Sequence, residues 1–87
     1  MKPQAFLNAV GNKIRSIRTS KELSQEKLAE MANLHPTFIS NLENGKLNGS
    51  ILSFYRIAQA LDTPLPKLFV VKVPAVAPAK KRTKKKK

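Results

Sequence analysis

Between Ser24 and Gly45 the chain starts a helix, stops it, restarts and stops again, and no other feature narrows the possible fold so far. Ser24 is a favoured helix cap, and Glu26 in the following turn suits the positive end of the helix dipole. Lys27 stands where a Glu or Gln would reach back, so the start is a single cap and not a reciprocal capping box. Leu28, Ala29, Met31 and Ala32 are expected to form the inner face. Asn33 then tolerates the left-handed backbone that ends a helix. His35 occupies the next cap position. Pro36 follows at the first helical position, where a missing N–H costs nothing. Ile39 and Leu42 point inward, and Asn44-Gly45 supplies strong turn chemistry. Ala29 is small where a larger side chain would push the two helices apart, and Leu34 plugs the gap between them. Thr37, Ser40 and Asn41 are left on the outside of the second short helix.

The flanks extend the same pattern. Phe6, Val10, Ile14 and Ile17 recur at steps of three and four and predict a helix over 5–19, with Lys13, Arg15 and Arg18 between them. Gly11 within it is a mild propensity cost. GKLNG at 45–49 is a loop, and Ser50 caps a helix running through Leu61, with Ile51, Phe54, Ile57, Ala58 and Leu61 inward. Asp62-Thr63-Pro64 breaks it, and Pro64 to Phe69 makes a short fifth helix or one turn of it. The fold class is therefore all-α, a five-helix bundle over residues 1–73. Beyond it the character changes: VVKV at 70–73 has strand propensity, PAVAPA reads as an extended spacer, and KKRTKKKK is low-complexity. Residues 74–87 are expected to be a disordered Pro/Ala spacer and basic tail.

A chain of 87 residues holds one small domain, and so modest a core often gains stability from a second copy. There is no cysteine, so neither disulfides nor a Cys-based zinc site can staple it. The formal charge is +12, and the tail residues Lys80, Lys81, Arg82, Lys84, Lys85, Lys86 and Lys87 supply seven of the positive charges, leaving +5 on residues 1–79. Nucleic acid is the first partner to consider and an anionic membrane surface the second. No apolar run is long enough to span a bilayer, and the start lacks the pattern of a signal peptide, so a cytoplasmic protein with no membrane partner is expected. No metal cluster, nucleophile–base pair or phosphate-cradling loop is visible, which argues against an enzyme and against any cofactor. His35, the lone histidine, reads as a cap residue lying near a phosphate. The tail is read either as a solubilising end or as a clamp on DNA. In the second case it would neutralise up to about seven phosphates, each steepening log K against log salt by about 0.9.

Residues 10–69 resemble the lambda-repressor/Cro type of helix-turn-helix domain, the XRE family. The matching stretches are IRTSKELSQEKLAEMANL, HPTFISNLENGK and SILSFYRIAQALDTPLPKLF. The chain is similar above all to small regulators of the restriction-modification controller and antitoxin kinds, which are bacterial or phage-encoded. The resemblance implies a lambda-repressor-like bundle that binds double-stranded DNA as a homodimer on an inverted-repeat operator. By this resemblance Pro36, Thr37, Ser40 and Asn41 face base edges. Gln25 bonds a phosphate, as its place at a helix N-terminus also suggests. Asn44, Gly45 and Lys46 form the loop that meets the DNA backbone, and Arg18 and Glu43 form a structural ion pair between the first and third helices. The resemblance also implies a dimer interface in the fourth–fifth helix region, assigned to Leu47, Leu52, Tyr55 and Leu65, the alternative being that these residues only cover the edge of the core.

Two departures matter. The turn position is usually Gly and here is Asn33, at little cost. The first base-reading position usually carries a long polar side chain and here is Pro36, which has no donor. Reading then falls to Thr37, Ser40 and Asn41, of which Asn41 is able to pair bidentately with adenine and Thr37 has a methyl that suits thymine. Phe38 fits either packing under the helix, the favoured reading, or contact with a thymine methyl. Such short readers keep two further functions open: an architectural, nucleoid-type DNA protein of low sequence specificity, and an antitoxin-type repressor whose residues 70–73 or tail bind a partner protein.

Overall fold

The computed structural model describes residues 2–71, which form four α-helices and one 3-10 helix with no strand among them. They are α1 Pro3–Ser20, α2 Gln25–Ala32, α3 Pro36–Glu43 and α4 Ile51–Ala60, followed by the 3-10 helix Leu65–Phe69. Residues 72–87, and with them the 73/74 domain boundary and the basic tail, lie outside the described residues.

Local chemistry sets the ends of these helices. The Ser24 hydroxyl accepts the Lys27 N–H at 2.9 Å and the Ser50 hydroxyl accepts the Ser53 N–H at 3.1 Å, satisfying donors that the first turn of a helix leaves unpaired. His35 caps α3 through its ring, with Nδ1 accepting the Thr37 N–H at 3.1 Å. Each α-helix is followed within two residues by one left-handed position: Glu22 (φ 60°), Asn33 (58°), Gly45 (73°) and Asp62 (51°). After α2 this geometry returns the Leu34 N–H to the Ala29 carbonyl at 2.8 Å and turns the chain directly into α3.

The core is one cluster. Val10 and Ile14 of α1 meet Leu28, Ala29 and Ala32 of α2, Ile39 and Leu42 of α3, and Phe54, Ile57, Ala58 and Leu61 of α4, with Leu68 closing one side. Leu28 and Ile39 are both fully buried, as the join between α2 and α3 requires. Leu34, Phe38 and Leu65 pack partly against this cluster. The Phe54 and Phe69 rings meet edge to face at 5.2 Å, fixing the 3-10 helix to α4.

Several expectations need correction. The fifth helix is 3-10 and not α, because Pro66 disfavours α geometry at Leu65 and removes a donor within a five-residue segment. Met31 is 47% exposed: Leu28, Ala29 and Ala32 already span the buried arc of α2, and Met31 falls roughly 60° outside it. Ile51 is 82% exposed on the first turn of α4, and Phe6 is 39% exposed near the start of α1. Periodicity assigned both to an apolar face, but no described element covers them. Val70 and Val71 are in no regular element, so the expected strand is absent from the part of 70–73 that is described.

Candidate nucleic-acid interface

Glu43, the last residue of α3, is 1% exposed, and its carboxylate is the point where three helices are tied together. Arg18 of α1 donates from Nε to Oε2 at 2.6 Å and from Nη2 to Oε1 at 3.0 Å. Gln25, at the start of α2, donates from Nε2 to Oε1 at 2.9 Å, and Arg15 Nε approaches the same oxygen at 3.5 Å. Arg18 also donates from Nη1 to the Leu23 carbonyl at 2.6 Å, so both its terminal nitrogens are engaged. Burial pushes the Glu43 carboxyl up. The hydrogen bonds from Arg18 and Gln25, the Arg18 charge and the Arg15 hydrogen bond together outweigh that, and its pKa lies below the ordinary carboxylate value. The last turn of α3 has no basic residue of its own, and an anion there opposes the helix dipole. The compensating positive charge comes from α1.

Gly11 makes this approach of α1 and α3 possible. A Cβ on Gly11 would run into the Leu42 carbonyl oxygen and lie 2.6 Å from that of Glu43, closer than non-bonded atoms allow. The sequence showed this glycine only as a propensity cost, because a crossing of helices leaves no local signature.

With its C-terminus fixed, α3 turns its other side outward. Pro36 and Thr37 are exposed, Ser40 and Asn41 are half-buried, and Ile39 and Leu42 anchor the inner side. No side-chain hydrogen bond joins Thr37, Ser40 or Asn41 to another described residue, so their polar atoms are available to a ligand. The His35 cap needs an unprotonated Nδ1, which puts the ring proton on Nε2 as an outward donor. Gln25 commits one Nε2 hydrogen to Glu43 and keeps the second. Asn44 accepts from Arg15 Nη2 at 2.7 Å through Oδ1, which leaves its amide nitrogen as a donor. The Lys46 backbone N–H is bound to the Asn41 carbonyl at 2.8 Å while its side chain reaches solvent. Gln4 Nε2 donates to the Gly45 carbonyl at 2.6 Å, so α1 braces this loop as well. Neither residue was singled out from the sequence: Arg15 read as one of the basic positions between apolar ones, and Gln4 lies before the helix predicted over 5–19.

The four residues assigned to a dimer interface divide. Leu52 (55% exposed) and Tyr55 (47%) lie on the open side of α4, beside the exposed Ile51. Tyr55 and Leu65 line one open depression of about 650 Å³ between α4 and the 3-10 helix. Leu65 is otherwise packed against the core, and Leu47 is half-buried in the loop before α4.

The sequence profile of the helix-turn-helix family matches residues 14–68. Control protein C.SmaI of Serratia marcescens is 42% identical over 55 residues, covering 63% of this chain and 66% of that protein, so the chain spans about two thirds of that relative. Control protein C.MunI of a Mycoplasma species is 40% identical over 60 residues, covering 68% of this chain and 81% of that protein. Among solved structures, the restriction-modification controller protein C.AhdI from Aeromonas hydrophila superposes with a TM-score of 0.74 at 37% identity, over 75% of this chain and 98% of that one.

Proposed function

Because the chain belongs to the XRE-type helix-turn-helix family, we propose that it is a non-enzymatic, DNA-binding transcription regulator of the controller kind, with α3 entering the major groove. The observation that carries this reading is the division of α3. Its inner residues and its last carboxylate are locked into the frame, while the side chains of Thr37, Ser40 and Asn41 make no hydrogen bond with another described residue. In this reading Asn41 and Thr37 read bases, Pro36 and Ser40 complete the contact surface, and Gln25, His35, Asn44 and Lys46 hold phosphates. Two copies joined through the α4 surface around Leu52 and Tyr55 would set two recognition helices about one DNA turn apart on an inverted repeat. The lysines of 80–87 would add sequence-independent phosphate contacts beyond that footprint. C.AhdI is by name a controller of a restriction-modification system, and the same role is proposed for this chain. Such a protein acts in the bacterial cytoplasm.

A second reading, an architectural DNA protein of low specificity, draws its support from Pro36, which presents no donor at the first position of α3. One experiment separates the two. Full-length protein is titrated by fluorescence anisotropy against genomic fragments and random duplexes. A regulator prefers one fragment by about 10³-fold or more, and Asn41→Ala erodes that preference. Near-equal binding to all duplexes would favour the architectural reading, and no binding to any would overturn both.

A further inference from the structure

The junction of α1 and α3 has two guanidinium groups for one carboxylate. Arg18 is 10% exposed at its side chain and takes the short, two-pronged contact with Glu43. Arg15 is 42% exposed and reaches the same carboxylate only at 3.5 Å. The pair Arg18–Glu43 is thus electrically complete, and the surplus positive charge sits on Arg15, at the surface. Its Nη2 is held by the Asn44 side chain, and its Nη1 makes no hydrogen bond with any described residue. This guanidinium opens into a polar cleft of about 260 Å³ lined by Asn8, Asn12, Arg15, Glu43 and Asn44. The cleft adjoins the loop Asn44–Lys46, and Gln4, one turn before Asn8 on α1, ties that loop in place. A surplus cation, oriented by a neighbour's carbonyl oxygen and flanked by carboxamides, is the chemistry that takes up a phosphate oxygen.

We infer that this cleft binds a backbone phosphate of DNA through Arg15, with Asn12 and the Asn44 amide beside it. The inference rests on the DNA-binding reading above and deepens it: α1 becomes a third contact element beside α2 and α3. The contact carries no sequence information and fixes how far α3 enters the groove. Asn44 links the two jobs, since the same side chain orients Arg15 and faces the DNA backbone.

The test uses the full chain, a labelled duplex of the best-bound sequence and a random duplex, each titrated across a salt series, with thermal melts of every variant. Arg15→Met is expected to bind both duplexes about three- to tenfold more weakly for each bound copy, with the log K against log salt slope reduced by about 0.9 for each copy and the preference between duplexes unchanged. Arg15→Lys is expected to keep the slope. Asn12→Asp, at an exposed position one turn from Arg15, is expected to weaken binding while leaving the melt in place, because its carboxylate would pair with Arg15. Wild-type affinity and slope in Arg15→Met and Asn12→Asp would overturn the cleft and leave the recognition helix standing. Weakened binding of Arg15→Met with a lowered melt, alongside an unaffected Asn12→Asp, would make Arg15 a structural brace only and equally overturn it. Failure of the wild-type chain to bind either duplex would remove the DNA-binding reading itself.

Discussion

The two ends of α3 are held in opposite ways. At its C-terminus Glu43 is almost fully buried and receives hydrogen bonds from Arg15, Arg18 and Gln25, so α1, α2 and α3 meet at one carboxylate. Toward the N-terminus and along the outer face, Thr37, Ser40 and Asn41 make no side-chain hydrogen bond with another described residue, and the helix is started by one ring nitrogen of His35. One end is over-determined and the other is left open. A recognition surface needs both properties: unpaired polar groups lose little when they bind, and a rigid mount sets where they are presented. Substitutions at the mount should therefore cost stability, and substitutions on the open face should cost binding alone.

The largest expected effect is at Glu43. Glu43→Ala leaves the Arg18 guanidinium in a nearly closed site without its counter-charge, a loss of about 3–5 kcal/mol that would unfold much of so small a domain. Urea denaturation followed by circular dichroism checks it. The same carboxylate sets an acid dependence. Its folded pKa is depressed, so its contribution is full above the unfolded value of about 4.3 and is lost as pH falls through the lower folded one. Glu43→Gln should flatten that acid limb, and an unchanged limb would mean that other carboxylates govern it.

Gly11→Ala comes next. Alanine is the better helix former by about 1 kcal/mol, yet its methyl would meet the Leu42 and Glu43 carbonyls. The clash should prevail, with a net loss of about 1–3 kcal/mol read by thermal denaturation. A stabilised variant would show that α1 can slide on α3 and that the mount is looser than its contacts suggest.

The face gives the contrasting result. Asn41→Ala should change stability by less than about 0.5 kcal/mol, while lowering discrimination at one base pair by about 1–3 kcal/mol. Paired melts and titrations on single-base operator variants would show it. A large loss of stability would place Asn41 in the mount and erase the distinction between the two ends.

This contrast also explains what could be read in the sequence. The helix starts and stops were legible at Ser24, Asn33, His35-Pro36, Asn44-Gly45 and Ser50, because capping and turn chemistry act over a few neighbouring residues. Arg18 with Glu43 was legible only through family resemblance, since the two lie 25 positions apart. Gly11, Arg15 and the second role of Gln25 were not legible at all. Each depends on where α1 crosses α3, and nothing within a helix announces the helix that packs on it. Met31, Ile51 and Phe6 failed for a related reason: an apolar position marks a face, while burial depends on what lies opposite. The 3-10 helix was missed in type rather than in place, because Pro66 alters geometry inside a segment whose apolar residues still point inward.

His35 gives the smallest effect and the sharpest division, because it belongs to both ends of the argument. Its Nδ1 accepts the Thr37 N–H and so helps to start α3, while Nε2–H faces outward toward a phosphate in the proposed complex. His35→Ala removes both, with an expected stability loss of about 0.5 kcal/mol, near the low end for a lost cap, and a modest loss of affinity. His35→Asn restores a side-chain oxygen as the cap but is too short to replace Nε2. Stability should therefore return in His35→Asn while affinity does not. The readout is a melt paired with anisotropy on the same samples. If affinity returned together with stability, the histidine would serve the DNA only by holding the first turn of α3 in place, and the open face would begin at Thr37.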